Sequence, residues 1–236
     1  IMAEQLKEIY KKIKSDSFPE ALEISFISGK RRDTVRYEKI EWEIDKELRG
    51  LRYGENPCQE AALYKLVNGN LVLGQVSLIS PGKYLTSDIE IIQSGKHPGK
   101  TNITDIDNAL NILRYFSDKP TSIIVKHNNP CGVARAVTLS ESLHRAVMAD
   151  RIASFGGAIA VNRMLDKETA HIISRNYFEV VAAPDFTGDA LDLLKTRKNL
   201  RILRINRIDR LEEFIGERVV DYKSLIDGGL VLQTSY

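Results

Sequence analysis

TSIIVK at 121–126, GAIAVN at 157–162, EVVAAP at 179–184 and LRILRI at 200–205 are the four runs that decide how this chain folds. Each is short, apolar and rich in strand-forming residues, with the near-continuous apolar character of a strand buried on both faces. The segments between them have helical spacing and recognisable starts. Thr138 stands three residues before Glu141, Asp166 precedes KETAHIISRN, and Thr187 precedes GDALDLLKTRK. In each case a side-chain oxygen is placed to accept a backbone N–H at a helix N-terminus. Three helices alternating with four strands is the pattern of an α/β fold, a largely parallel sheet covered by helices. Upstream, DIDNALNILRYF (105–116) puts Ile106, Ala109, Leu110, Leu113 and Phe116 on one helical face that leads into the strand at 121.

The rest of the chain narrows the class. Its 236 residues are 43% hydrophobic and 28% charged, which excludes disordered and collagen-like chains and allows one large α/β domain or two lobes. No apolar run approaches the roughly 20 residues of a spanning helix, and the opening IMAEQLKEIYKKIK has no signal-peptide core, so a cytoplasmic location without a membrane partner is expected. Residues 2–14 place Met2, Leu6, Ile9, Tyr10 and Ile13 on one helical face, and ALEISFISG (21–29) alternates as a strand. A boundary within the charged stretch 30–50 would divide an N-terminal helix and connector region (1–44) from the remainder (45–236). Balanced charge, 34 basic against 32 acidic residues, argues against general binding of nucleic acid.

Several motifs carry possible chemistry. VKHNNPCGVA (125–134) puts Lys126 and His127 at the carboxyl end of a strand, followed by a polar turn with Pro130 and Gly132. In open α/β sheets ligands bind at that end, and a neighbouring Lys and His can supply a proton donor and a proton acceptor near neutral pH. The alternative is a loop whose Lys snorkels and whose His is simply hydrogen-bonded. LRYGENPCQ (51–59) exposes Arg52 beside Tyr53 on a turn, and a guanidinium fork suits phosphate or carboxylate; an ordinary surface turn is the other reading. ASFGGAIAVN (153–162) offers a Gly-Gly pair for close approach to a ligand or, equally, for tight packing.

Other motifs fail on inspection. GKHPGKTN (95–102) lacks the spacing of a nucleotide-triphosphate loop. Pro130-Cys131 resembles half of a zinc-deaminase motif, but Ala134 stands where a second thiolate is needed and Asn129 where the catalytic Glu would be, so no metal site is expected. Cys131 then reads as a small buried residue, and Cys58, far from it, completes no CxxC or disulfide framework. KTRKNLRILRINRIDR (195–210) repeats Arg201, Arg204, Arg207 and Arg210 every three residues. It reads as an RNA-contacting strip, a solvated edge or a subunit interface.

Taken together, LRYGENPCQEAALY, GKHPGKTNITDIDNA, VKHNNPCGVA, ASFGGAIAVN and EVVAAPDFTGDALDLLKTRKNLRIL resemble the transformylase part of the bifunctional family that joins 5-aminoimidazole-4-carboxamide ribonucleotide (AICAR) transformylase to inosine monophosphate cyclohydrolase. The resemblance runs in order from about residue 45 to 233, and FPEALEISF (18–26) resembles the connector before it. The family's transformylase continues beyond GGLVLQ (228–233), so the resemblance covers its first half: a fragment, a split subunit or a shortened relative.

The resemblance implies a cytidine-deaminase-like three-layer lobe without zinc. It implies formyl transfer from the co-substrate 10-formyltetrahydrofolate to the amine of AICAR, in a homodimer or with a second transformylase lobe. By motif, Lys126 and His127 match the family's catalytic pair, while Arg52, Tyr53, Phe155 and Gly156 match substrate-binding positions. Glu179 falls where an acidic residue contacts the nucleotide, and Asn102 lies in the polar segment before the helix. The chain departs from the family pattern at Cys58, in place of His, at GKTN (99–102), in place of an SYNN-like run, and at Asn128, in place of Thr or Ala. A non-catalytic nucleotide-binding relative is the competing expectation.

Overall fold

A computed structural model describes residues 16–74, 76–77 and 82–235; the helix expected over 2–14 lies outside the described residues. In chain order the elements are β1 (Ala21–Ser28), β2 (Arg31–Ile40), β3 (Trp42–Ile44), β4 (Glu47–Arg49), β5 (Leu63–Gly69), β6 (Val72–Leu73), β7 (Val76–Ser77), β8 (Glu90–Gln93), α1 (Lys100–Leu113), β9 (Thr121–Lys126) and β10 (Asn129–Arg135). They continue with α2 (Leu139–Ala149), β11 (Ala158–Val161), α3 (Lys167–Arg175), β12 (Val180–Ala183), α4 (Gly188–Lys195), β13 (Arg201–Arg204), β14 (Val220–Ser224) and β15 (Leu230–Thr234).

The core is a six-stranded sheet of order β10-β9-β11-β12-β13-β8. Its inner strands β9, β11, β12 and β13 are buried on both faces, as continuous apolar runs require, while the edge strands β10 and β8 are partly exposed. On one face Ile124, Ile159, Val181 and Ile202 pack against Leu143 and Ala146 of α2, Ile173 of α3 and Leu194 of α4. On the other, Ile123, Val125, Ala158, Ala160 and Ala182 meet Ile103, Ile106, Leu110 and Leu113 of α1. The result is a mixed α/β fold of three layers. Each sheet residue faces opposite to its neighbour, so one strand such as Ser122-Ile123-Ile124-Val125 feeds both cores.

Four of the six strands share one direction, but β9 and β8 run against them. Of the four strands read from sequence, β11, β12 and β13 pair in parallel, whereas β9 pairs antiparallel with β11 (Ala158↔Val125 to Val161↔Ser122). The segment read as a polar loop after β9 is itself a strand, β10, which folds straight back on β9. Pro130 masked it: a residue without an N–H reads against a strand, yet it is tolerated here because β10 is the sheet edge. Gly132 lets that edge lie directly on α2, since a Cβ there would sit 2.0 Å from the carbonyl oxygen of Ala146.

Two expected caps are made: Thr138 Oγ1 accepts the Glu141 N–H at 3.2 Å, and Asp166 Oδ1 accepts that of Thr169 at 2.8 Å. Thr187 makes no such bond; its hydroxyl donates to Asp189 Oδ1 at 2.6 Å. Helix α1 starts earlier than the expected residue 105, at Lys100, because Asn102 Oδ1 reaches back to accept the N–H of Gly99 at 3.0 Å and secures the first turn. A second sheet, β1-β2-β5, is antiparallel and draws strands from both sides of residue 45. No helix among the described residues is long and apolar enough to cross a membrane.

Candidate active site

The β9–β10 connection is a two-residue turn, His127-Asn128, with φ of 52° and 64°. Two consecutive left-handed residues are what a type I′ hairpin turn demands, and Asn tolerates them better than most side chains. The turn's N–H groups are taken by one carboxylate on α1: Asp105 Oδ1 accepts from Asn128 at 2.7 Å and Oδ2 from His127 at 3.3 Å. Asn108, on the same helix, donates to Asn128 Oδ1 at 3.0 Å. Burial pushes the Asp105 carboxyl above the ordinary range, and the two N–H bonds pull it partly back.

Lys126 ends β9, and its Nζ donates to the carbonyl of Phe155 at 2.8 Å. That carbonyl belongs to the turn before β11, where Gly156 takes a φ of 77° and donates its N–H to Tyr177 O at 2.8 Å. The Phe155 and Tyr177 rings lie 5.0 Å apart. Glu179, just before β12, accepts on Oε2 from Asn102 at 3.2 Å and from Arg201 at 3.3 Å. Arg201 is 3% exposed and also donates to the carbonyl of His97; burial lowers its pKa and the Glu179 charge opposes that. The segment carrying Arg52 and Tyr53 is clamped to the start of α1, with Arg52 N–H bonded to Pro98 O and Lys100 N–H to Tyr53 O, both at 2.9 Å.

These walls enclose a cleft of about 640 Å³, lined among others by Tyr53, Asn102, Lys126, His127, Phe155, Gly156 and Glu179. Seven of the eight residues singled out from sequence thus share one cavity. Arg52 does not line it: expected to be exposed on a turn, it is 6% exposed, its guanidinium carbon 5.0 Å from the centre of the Tyr53 ring, and its Nε has no hydrogen-bond partner. The cavity also takes in Asp105 and Tyr177, which sequence reasoning missed. Asp105 sits in an acidic-apolar alternation that reads only as one face of a helix, and Tyr177 has no motif around it. A second cavity, about 730 Å³ beside α1, contains none of the eight.

The cleft lies at the carboxyl end of β9, as expected, but because β9 is reversed this is the amino end of β11, β12 and β13. The ligand-binding rule for parallel strands therefore points to the right residues for only one strand. The basic strip is not a strip: Arg201 is buried, Arg204 pairs with Glu90 and Asp185 at 2.9 and 3.0 Å, and Arg207 pairs with Glu213 at 3.4 Å. Side chains engaged in this way are not arrayed for a phosphate backbone. Burial raises the Cys131 thiol pKa, in keeping with a packed residue rather than a nucleophile. Among the described residues no three His, Cys, Asp or Glu side chains are grouped to hold a metal ion.

Comparison with known proteins bears on the whole chain. The chain is 36% identical over 233 residues to the bifunctional purine biosynthesis protein PurH of Acetivibrio thermocellus, covering 99% of this chain and 38% of that protein. It is 38% identical over 202 residues to the same-named protein of Bacillus subtilis, covering 85% and 34%, and 39% identical over 183 residues to that of Caldicellulosiruptor saccharolyticus, covering 78% and 32%. It thus spans about a third of the length of these relatives. Among solved structures, a putative formate dehydrogenase accessory protein from Desulfotalea psychrophila aligns over 81% of this chain and 93% of its own at a TM-score of 0.37 and 10% identity, too slight to bear on fold or activity. The model of the AICARFT/IMPCHase bienzyme family matches residues 11–236, and with the similarity to the Acetivibrio thermocellus PurH across 99% of this chain it places the chain in that family.

Proposed function

We propose that this chain carries the nucleotide side of a transformylase site that moves the formyl group of 10-formyltetrahydrofolate to the amine of AICAR. The observation that carries the reading is the meeting of Lys126 and His127 with Tyr53, Asn102, Phe155, Gly156 and Glu179 in one cleft. Residues 45–236 act as the first transformylase lobe, of cytidine-deaminase-like kind without zinc, and residues 1–44 as the connector region. The second lobe and the folate pocket are supplied by a companion segment or a homodimer partner in the cytoplasm.

The chemistry follows from the amine. Its lone pair is delocalised into the imidazole and carboxamide, so a proton must leave as nitrogen attacks the formyl carbon, and His127 takes that proton. The tetrahedral intermediate bears an oxyanion, and the folate nitrogen must gain a proton to depart. Lys126 serves both needs: one of its three donors is spent on Phe155 O, leaving two for the oxyanion and the leaving nitrogen. With Glu179 Oε2 held by Asn102 and Arg201, Oε1 accepts from the substrate's exocyclic N–H groups. Arg52, whose Nε has no hydrogen-bond partner, lies against Tyr53 and supplies positive potential for the phosphate. Holding the two substrates side by side supplies the orientation advantage.

The test is single-turnover formyl transfer in an assembly with the complete transformylase site. His127→Ala lowers the rate by about 10²–10⁴-fold, the range for a lost general base, while AICAR affinity changes far less. Arg52→Ala weakens AICAR binding first. Wild-type transfer by His127→Ala would leave AICAR binding without catalysis as the better account.

A further inference from the structure

We propose that Asp105 is a positioning residue of this site: by bonding both N–H groups of the His127-Asn128 turn, it holds the left-handed backbone that presents His127 to the cleft. The inference rests on the transformylase reading for its kinetic consequence, but the geometry stands apart from it. A His with φ of 52° is in a conformation that L side chains avoid, and Asn128 repeats the demand at 64°. The surroundings must impose such a backbone. The β9–β10 pairing closes the turn, and Asn129 Nδ2 donates to His127 O at 2.9 Å; from outside the hairpin, the contacts among the described residues come from α1, with Asp105 on the two N–H groups and Asn108 on the Asn128 side chain.

Asp105 is a poor choice for stability alone. It is 5% exposed, on a helix whose buried face is otherwise apolar at Ile103, Ile106, Ala109, Leu110 and Leu113. Burial raises its carboxyl pKa despite the two N–H bonds; the His127 charge lowers it and Glu179 raises it. A group whose pKa is raised on folding makes the fold less stable at neutral pH than below its ordinary pKa. A carboxylate kept under that disadvantage, itself in the lining of the cleft one turn on from Asn102, fits a role in the site better than one in the core.

Two measurements test this. In the full chain labelled with ¹⁵N, the amide protons of His127 and Asn128 move together on acidification, with a midpoint above the ordinary Asp value of about 3.9. In Asp105→Asn, whose side chain offers one acceptor where two are needed, that titration vanishes while the urea midpoint holds or rises. In an assembly with the complete transformylase site, Asp105→Asn lowers kcat by about tenfold or more with the AICAR KM within about threefold, and Asp105→Glu recovers part of the loss. Turn amides that do not titrate in the wild type overturn the geometry. Displaced turn amides with wild-type kcat, in Asp105→Asn or, should that variant unfold, in Asp105→Glu, overturn the positioning role. A wild-type assembly that transfers no formyl group sinks the functional reading instead, and the amide titration still decides what holds the turn.

Discussion

Replacing Gly132 by Ala tests the packing that fixes the β9–β10 hairpin. A Cβ at this position would lie 2.0 Å from the carbonyl oxygen of Ala146, 2.8 Å from its carbonyl carbon and 3.2 Å from its Cα. Ordinary contact begins near 3.4 Å, so β10 and α2 must separate by about 1.4 Å, and the atoms in the way are backbone. Helix α2 is not free to move: Leu143 and Ala146 are fully buried, and Ser142 Oγ bonds Ser122 Oγ at 2.9 Å and Ala134 O at 2.8 Å. Overpacking costs about 1–3 kcal/mol, and the loss of one of these buried hydrogen bonds adds about 1 kcal/mol. The expected destabilisation is therefore about 3 kcal/mol, or roughly 6–12 °C in Tm for a chain of this size. Urea unfolding reads it as a lower midpoint at unchanged slope. Gly188→Ala is the control, because nothing lies within 4 Å of its added Cβ and it opens α4; it leaves stability unchanged or raises it by about 0.5 kcal/mol. If Gly132→Ala unfolds within about 0.5 kcal/mol of wild type, the close approach of β10 to α2 is wrong.

Three further outcomes are expected. His97 is 2% exposed, and burial first, then the nearby Arg49, Arg201 and Arg52, depress its pKa. The depressed value gives a stability contribution that is full above the ordinary value of about 6.5 and lost as pH falls through the folded value. Urea unfolding between pH 7 and 5 should thus show a smaller acid loss in His97→Asn, which tolerates the φ of 59°; equal losses would refute it. Lys126→Arg keeps the charge but resists deprotonation and replaces a point donor with a fork, so single-turnover transfer should fall about tenfold or more; an unchanged rate removes proton donation from Lys126. Elemental analysis of the purified protein should find no stoichiometric zinc, since Asn129 and Ala134 stand where a deaminase needs Glu and Cys; one tightly held zinc per chain would contradict that.

The sequence is a good guide where burial imposes a pattern and a poor one where direction matters. The strands at β9, β11, β12 and β13 are visible because burial on both faces leaves unbroken apolar runs, and helices α2 and α3 because their caps use side-chain oxygens. Strand direction has no such mark. Ile123 and Ile124 are equally buried whichever way β9 runs, and only the left-handed turn at His127-Asn128 reverses it. An Asn within a short polar break between two strand-like runs was the available signal, and Pro130 argued against using it. Lys126 and His127 stood out by their place at a strand's carboxyl end as well as by family motif, whereas Glu179 was picked out by the motif alone. The role of Asp105 was not legible, and Arg201 was read only as part of a basic repeat, because both depend on partners more than 20 residues away.

The far edge of the central sheet has a consequence for how the chain assembles. Among the described residues strand β8 pairs only with β13, and the Glu90–Arg204 ion pair that joins them spans 114 residues. The β11-α3-β12-α4-β13 run can form from neighbouring segments, each strand meeting the next within one helix's length of chain. β8 must wait. On a ribosome it emerges long before its partner, so its backbone N–H and C=O groups stay unpaired until residues 201–204 have been made and placed. Closing so long a loop is the slow, entropy-limited step of such a topology. Any truncation before β13 therefore leaves a short apolar strand without a partner, a ready site for misassociation between nascent chains.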